Sequence, residues 1–270
     1  MNKTARAIFL HPARLDDLIL SLLFDKHIHP QPDQTYIFYG PFDPDYNLFE
    51  ELQKFNIDTT KIIALPDRTI WNNNIPVDIY EFGGWISQQF VKLLCCEKLL
   101  QDFDALLLQD CDTFCSKPYH WIDNGIATMY FRPNERHSDE YYKYCKLIAD
   151  IEVDHRMCFV CELMPVLKSN WQSLVGSIEN LHRKKWIEAI HDLFLQSTKK
   201  QIWFSEYELL GNWALQQKNT KLIEQKRFEL KNQWQDNIND IHTSNCVANM
   251  KTIPTAGIAE FAKLVDGALE

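Results

Sequence analysis

Along the first hundred residues, apolar and polar positions fall into short blocks whose period switches between that of a strand and that of a helix. Ala7–Leu10 is a compact apolar run and predicts a first strand. Leu15–Phe24 carries Leu15, Leu18, Ile19 and Leu22 at helical spacing, which predicts a helix. Thr35–Tyr39, closed by Gly40-Pro41, predicts a second strand, Tyr46–Phe55 a second helix and Lys61–Leu65 a third strand. After a polar loop over Thr69–Asp78, Gly84–Leu100 predicts a long helix. Asp104–Asp110 then predicts a continuous apolar strand that ends abruptly in acids. Farther on, Tyr130–Glu135 and Met157–Leu163 read as strands, and Asn170–Leu181, Lys184–Leu195 and Glu206–Gln217 as helices. The alternation predicts an α/β, Rossmann-type fold with a mainly parallel central sheet and flanking helices.

Composition narrows the picture by exclusion. In 270 residues, 46% are hydrophobic and 24% charged, the range of ordinary globular domains. The 28 Lys and Arg against 37 Asp and Glu give a net charge of −9, which opposes binding to nucleic acid. The run Ala7–Leu10 is too short for an export signal, and no later apolar run approaches the ~18 residues that span a bilayer. A cytoplasmic location is therefore expected. The eight cysteines are expected to be reduced thiols that fill the core. In Cys158-Phe159-Val160-Cys161, residues three apart on a strand point to opposite faces, which disfavours a zinc site.

Strand carboxyl ends are where open α/β sheets bind ligands, so the acids ending the Asp104–Asp110 strand mark the place for chemistry. No G-x-G-x-x-G or P-loop follows the first strand, which ends in His11-Pro12-Ala13-Arg14. Any phosphate must be held otherwise. Asp110-Cys111-Asp112-Thr113 supplies two carboxylates two residues apart, able to share one hard divalent cation that in turn bridges a pyrophosphate. On the helix before it, Trp85, Gln88, Gln89 and Lys92 fall on one face, an aromatic, two amides and a cation suited to a donor-binding surface or to a solvated helix side. Ser205 and Glu208 match the S-x-x-E capping box, and Glu206, left over at the helix mouth, is either a carboxylate base or a favourable partner of the helix dipole. His182-Arg183-Lys184-Lys185-Trp186 is a basic-aromatic cluster that reads as a solvated helix face, with contact to anionic lipid headgroups as the alternative.

The order G-W-x-x-Q-Q-x-x-K-L, L-L-L-x-D-x-D-T-x-x-x-x-P, S-E-Y-E-L-x-G-N, from about Phe82 to Ala214, resembles bacterial glycosyltransferases of the DUF6492 type within the GT-A superfamily. The resemblance implies a GT-A fold, with residues 1–125 as the donor-binding half and 126–270 as the acceptor-binding half and C-terminal helices of one continuous domain. It implies a hexosyltransferase-like enzyme with a nucleotide-sugar donor, most simply a UDP-sugar. It also implies Mn2+ or Mg2+ at Asp110 and Asp112, with the late His242 as a further metal ligand. Glu206 or Glu208 matches the position of the catalytic acid of inverting relatives, and inversion is the expected outcome. His11 stands where the first strand's end touches the base, although the usual Pro-Thr-like turn is missing. The implied acceptor is a saccharide or lipid-linked saccharide of surface polysaccharide or lipopolysaccharide synthesis, with peripheral contact to the inner membrane. A metal-dependent nucleotidyltransferase, which also uses paired acids, and a non-catalytic carbohydrate-binding protein are the rival readings.

Overall fold

The computed structural model describes residues 3–40, 47–71, 84–135, 137–197, 204–229, 244, 246–248 and 258. The order is β1 (Thr4–Leu10), α1 (Leu15–Leu23), β2 (Ile28–His29), β3 (Gln34–Tyr39), α2 (Leu48–Gln53), β4 (Ile62–Pro66) and α3 (Arg68–Trp71). After the undescribed stretch follow α4 (Gly84–Leu99), β5 (Ala105–Asp110), β6 (Tyr119–His120), β7 (Ile122–Asp123), β8 (Ile126–Pro133) and α5 (Asp139–Ala149). The remainder is β9 (Met157–Cys158), β10 (Leu163–Leu167), α6 (Lys168–His182), α7 (Trp186–Gln196), α8 (Glu206–Leu215), β11 (Thr220–Glu224), β12 (Arg227–Glu229) and β13 (Cys246–Ala248).

The main sheet runs β10-β5-β1-β3-β4, parallel except for β10 at its edge. The expected α/β class with a mainly parallel central sheet is the one observed. Burial explains the strand compositions: β1 is buried throughout and β5 over all but its last residue, so both are apolar on both faces rather than alternating. The chain leaves β1 toward β3 and β4 on one side and returns to β5 on the other. That reversal opens a crevice at the carboxyl ends of β1 and β5, where Phe9 and Asp110 pair in register. The largest core cluster joins side chains from both sides of residue 125, among them Phe90, Leu106, Met129 and Leu209. No helix among the described residues is long and apolar enough to cross a membrane.

Several boundaries differ from the sequence reading. Met157–Leu163 is not one strand: β9 ends at Cys158, Glu162 takes a left-handed φ of 58°, and β10 begins at Leu163. The buried Glu208 carboxylate accepts the Phe159 N–H, which a strand pairing would have used. The periodicity of α5 is obscured because it starts in acids, but Ser138 caps it and Tyr142, Cys145 and Ile148 are buried. Trp186 leaves the basic cluster for the core, packing edge-on against Trp171 with ring centroids 5.3 Å apart. Lys184 and Lys185 stay outside and pair with Asp192 and Glu179. Seven cysteines, including Cys158 and Cys161, are buried free thiols.

Candidate active site

β5 delivers Asp110 to the carboxyl edge of the sheet, and a tight turn follows in which the Thr113 N–H donates to the Asp110 carbonyl at 3.2 Å. This turn carries Asp112 beyond the strand end. The side chains of Asp110 and Asp112 are 22% and 15% exposed, so both carboxylates stand at the border between core and solvent. The Asp110 N–H donates to the Glu162 carbonyl, which ties β5 to the start of β10.

Helix α4 passes behind this edge. Its predicted polar face is real, but it dips from solvent into the interior. Trp85 is exposed and stacks on Tyr141, Gln88 is half-buried, and Gln89 and Lys92 are buried. Lys92 Nζ lies 2.7 Å from Asp110 Oδ1 and 2.7 Å from Glu206 Oε1, and 4.1 Å from the centre of the Tyr207 ring. Burial disfavours the ammonium charge, yet the flanking carboxylates of Asp110 and Glu206 outweigh it and hold Lys92 above the ordinary lysine value. Lys92 is thus an internal counter-ion, not a solvent-facing cation.

Helix α8 closes the cluster from the far side. Ser205 accepts the Glu208 N–H at 3.4 Å, so half of the predicted capping box is present. The reciprocal half is replaced: Glu208 Oε1 accepts the Phe159 N–H at 3.1 Å and Oε2 the Asn212 side-chain amide at 3.0 Å. Burial pushes the Glu208 carboxyl up to about 7, against the pull of those donors. Glu208 therefore pins α8 to the segment after β9. Glu206, read from the sequence as projecting from the helix mouth, turns inward. It is 1% exposed, its N–H donates to Gln89 Oε1 at 3.0 Å, and its carboxyl is raised by burial although Lys92 opposes the rise. Its Oε2 is buried without a hydrogen-bond partner among the described residues.

Two participants escaped the sequence reading. Tyr207, between the two glutamates, donates its hydroxyl to Asp110 Oδ1 at 3.0 Å. Burial and the Asp110 charge raise that phenol well above its ordinary value, so it stays a donor. Arg14, just beyond β1, pairs through Nε with Asp17 at 2.7 Å and through Nη2 with Asp112. Burial raises the Asp17 carboxyl to about 7 despite Arg14, with Asp112 adding to the rise. Asp112 is raised too, by burial first and by Asp110 second, with Arg14 opposing. A sequence signal existed only for position, since Arg14 lies four residues beyond a strand carboxyl end.

Beside this cluster lies a cavity of about 490 Å³ over the ends of β1 and β3, with Phe9, Phe38 and Val91 as walls and His11, Trp85 and Gln88 on its rim. Three of the expected donor-binding residues thus share one cavity. Gln89, Lys92 and Asp110 belong to the charged cluster behind it. His242 lies outside the described residues. No group of three or more His, Cys, Asp or Glu arranged to hold a metal occurs among the described residues.

A mainly parallel sheet with an antiparallel edge strand and flanking helices makes this an α/β protein of GT-A-like, Rossmann-type fold. The chain belongs to DUF6492, a family of unknown function whose model matches residues 24–259. Among solved structures, an active-site mutant of LgtC is similar over 98% of this chain and 95% of that one, at 11% identity and a TM-score of 0.50. The galactosyltransferase LgtC in complex with donor and acceptor sugar analogs is similar over 97% of this chain and 95% of that one, at 11% identity and a TM-score of 0.46. No curated protein matches the sequence.

Proposed function

We propose that the chain is a glycosyltransferase that binds a nucleotide-sugar donor, with Mn2+ or Mg2+, at the carboxyl edge of its sheet. One observation carries this reading. Four carboxylates, Asp17, Asp110, Asp112 and Glu206, gather around two cations, Arg14 and Lys92, beside an open cavity. Burial raises three of those carboxyls, with Arg14 or Lys92 opposing the rise in each. Two part-exposed carboxylates at one strand end are oxygen donors of the kind a hard divalent cation takes, so the residues fit the metal. When bound, such an ion supplies positive charge to a leaving diphosphate.

The chain's own groups do the positioning. Lys92 and Tyr207 hold Asp110 in one orientation from two sides. His11, Trp85 and Gln88 border the space for the nucleoside, for which a UDP-sugar is the first candidate. The partnerless Oε2 of Glu206 is suited to accept a hydroxyl of the substrate. Inversion would need Glu206 to deprotonate the acceptor. In our reading its burial against Lys92 assigns it to the donor side, and the anomeric configuration of the product, read by NMR, decides between the two. The acceptor is a saccharide or a lipid-linked saccharide. Support for an enzyme of this kind comes from the fold shared with the active-site mutant of LgtC.

The test is a thermal-shift series with UDP, GDP, CDP and ADP in Mn2+ and in EDTA, followed by UDP-sugar turnover. A nucleoside diphosphate should raise the melting midpoint more with Mn2+ than with EDTA, because only a cation can join phosphate to Asp110 and Asp112. Equal shifts would remove the cation from the site. Asp110→Asn with Asp112→Asn should abolish the Mn2+-dependent part and the turnover while leaving the fold intact.

A further inference from the structure

We infer that Arg14 is a phosphate-binding residue, held on Asp17 and Asp112 until a nucleoside diphosphate arrives. The inference rests on the donor reading above and deepens it. Arg14 lies four residues beyond the carboxyl end of β1. Its N–H donates to the His11 carbonyl at 2.8 Å, so a single 3-10 turn separates it from the cavity rim that His11 forms. From there the side chain crosses to Asp112, 98 residues away in sequence, and spans the carboxyl ends of the two strands.

The guanidinium is only partly used. It carries five N–H groups; Nη2 donates to Asp112, and Nε lies 2.7 Å from Asp17 as an ion pair. The guanidinium makes no other hydrogen bond among the described residues, and the side chain is 22% exposed. A planar fork with open N–H groups beside a cavity matches a phosphate, which such forks hold in bidentate fashion. Asp17 supplies the anchor. It approaches from the first turn of α1 and pairs with Nε, while Nη2 bonds Asp112. Asp110 and Asp112 would hold the cation, which would supply the positive charge that Arg14 gives Asp112 and would leave the fork to the diphosphate.

The opposing view is that Arg14 only neutralises Asp112 and Asp17. The two views differ in sign. Arg14→Met, Arg14→Lys and the unaltered chain are titrated calorimetrically in Mn2+ with UDP and with uridine, or with whichever nucleoside diphosphate and nucleoside the thermal-shift series selects. Arg14→Met should weaken diphosphate binding about tenfold or more, the loss of one charge-assisted hydrogen bond, and leave the nucleoside unchanged. Arg14→Lys, which keeps the charge without the fork and guards against a folding defect in the Met variant, should fall between. Diphosphate affinity that is unchanged or higher in both variants overturns the inference, as does an equal loss for diphosphate and nucleoside. Unaltered protein that binds no nucleoside diphosphate overturns the donor reading itself, and this inference with it.

Discussion

Replacing Lys92 with Met probes the charge balance on which the site is built. Lys92 is 2% exposed and its ammonium stands 2.7 Å from each of two carboxylates. Met keeps most of the side-chain volume, so the substitution removes charge rather than packing. Asp110 and Glu206 lose the cation they share, and breaking a buried ion pair by deleting one partner costs roughly 3–5 kcal/mol. For a chain of this size the melting midpoint should fall by roughly 10 °C. The loss should depend on pH, and its sign follows from Glu206. Burial already raises that carboxyl with Lys92 beside it, and without the cation it rises further. A carboxyl raised in the folded state keeps its proton where the unfolded chain has released it, so stability is present at acid pH and lost as pH climbs through the folded value. Lys92→Met should therefore lie closer to the unaltered protein near about pH 5 than near about pH 8. Lys92 itself, held above the ordinary lysine value, keeps its charge across that window. Urea unfolding of Lys92→Met, Glu206→Gln and the double variant measures the coupling, and the double should be more stable than Lys92→Met alone because one orphaned carboxylate is gone. A Lys92→Met variant within about 1 kcal/mol of the unaltered protein near pH 8, or a double variant less stable than the single, would refute the reasoning.

Other outcomes follow from the same contacts. Gly211→Ala would place a Cβ 2.3 Å from Phe159 Cγ and 2.5 Å from its Cβ, inside the core, so unfolding experiments should show a loss of about 1–3 kcal/mol or more; unchanged stability would mean that α8 slides freely. Asp17 and Glu208, both raised to about 7, bind protons in the folded state that the unfolded chain has lost. Stability should therefore decline as pH rises from the ordinary carboxylate range to about 7, and Glu208→Gln should flatten that slope in a pH series of unfolding curves. Tyr207→Phe removes the 3.0 Å hydrogen bond to Asp110 but keeps the ring against Lys92. It should cost about 1.5–3 kcal/mol in stability and loosen Mn2+-dependent nucleotide binding in the thermal-shift assay, and unaltered values in both would show that Lys92 alone orients Asp110.

The main-sheet strands β1, β3, β4 and β5 and helices α1, α2 and α4 were readable from periodicity because each is bounded by its own signals, whereas the short β2 and α3, the latter overlapping the segment read as a loop over Thr69–Asp78, were not. Ser205 likewise marked the start of α8, since a cap is a local device. The paired acids Asp110 and Asp112 were legible for the same reason, a buried strand that ends in charge. Boundaries failed where a distant group took over a backbone bond, as Glu208 does at Phe159 across 49 residues.

The roles of the charged side chains were set by contacts between residues far apart in sequence. Helical spacing placed Trp85, Gln88, Gln89 and Lys92 on one face, but the packing of α4 across β1 and β5 made one end of that face a cavity rim and the other a buried counter-ion. The same local pattern, S-E-Y-E, put two glutamates two residues apart. Their partners, Lys92 for one and the Phe159 N–H with Asn212 for the other, separated their duties. Arg14 carried no motif, because its meaning is its reach to Asp112 across the carboxyl edge of the sheet. Periodicity and caps are properties of neighbours along the chain and can be read from it, whereas the charge state and partner of a buried side chain depend on what the fold brings within about 4 Å.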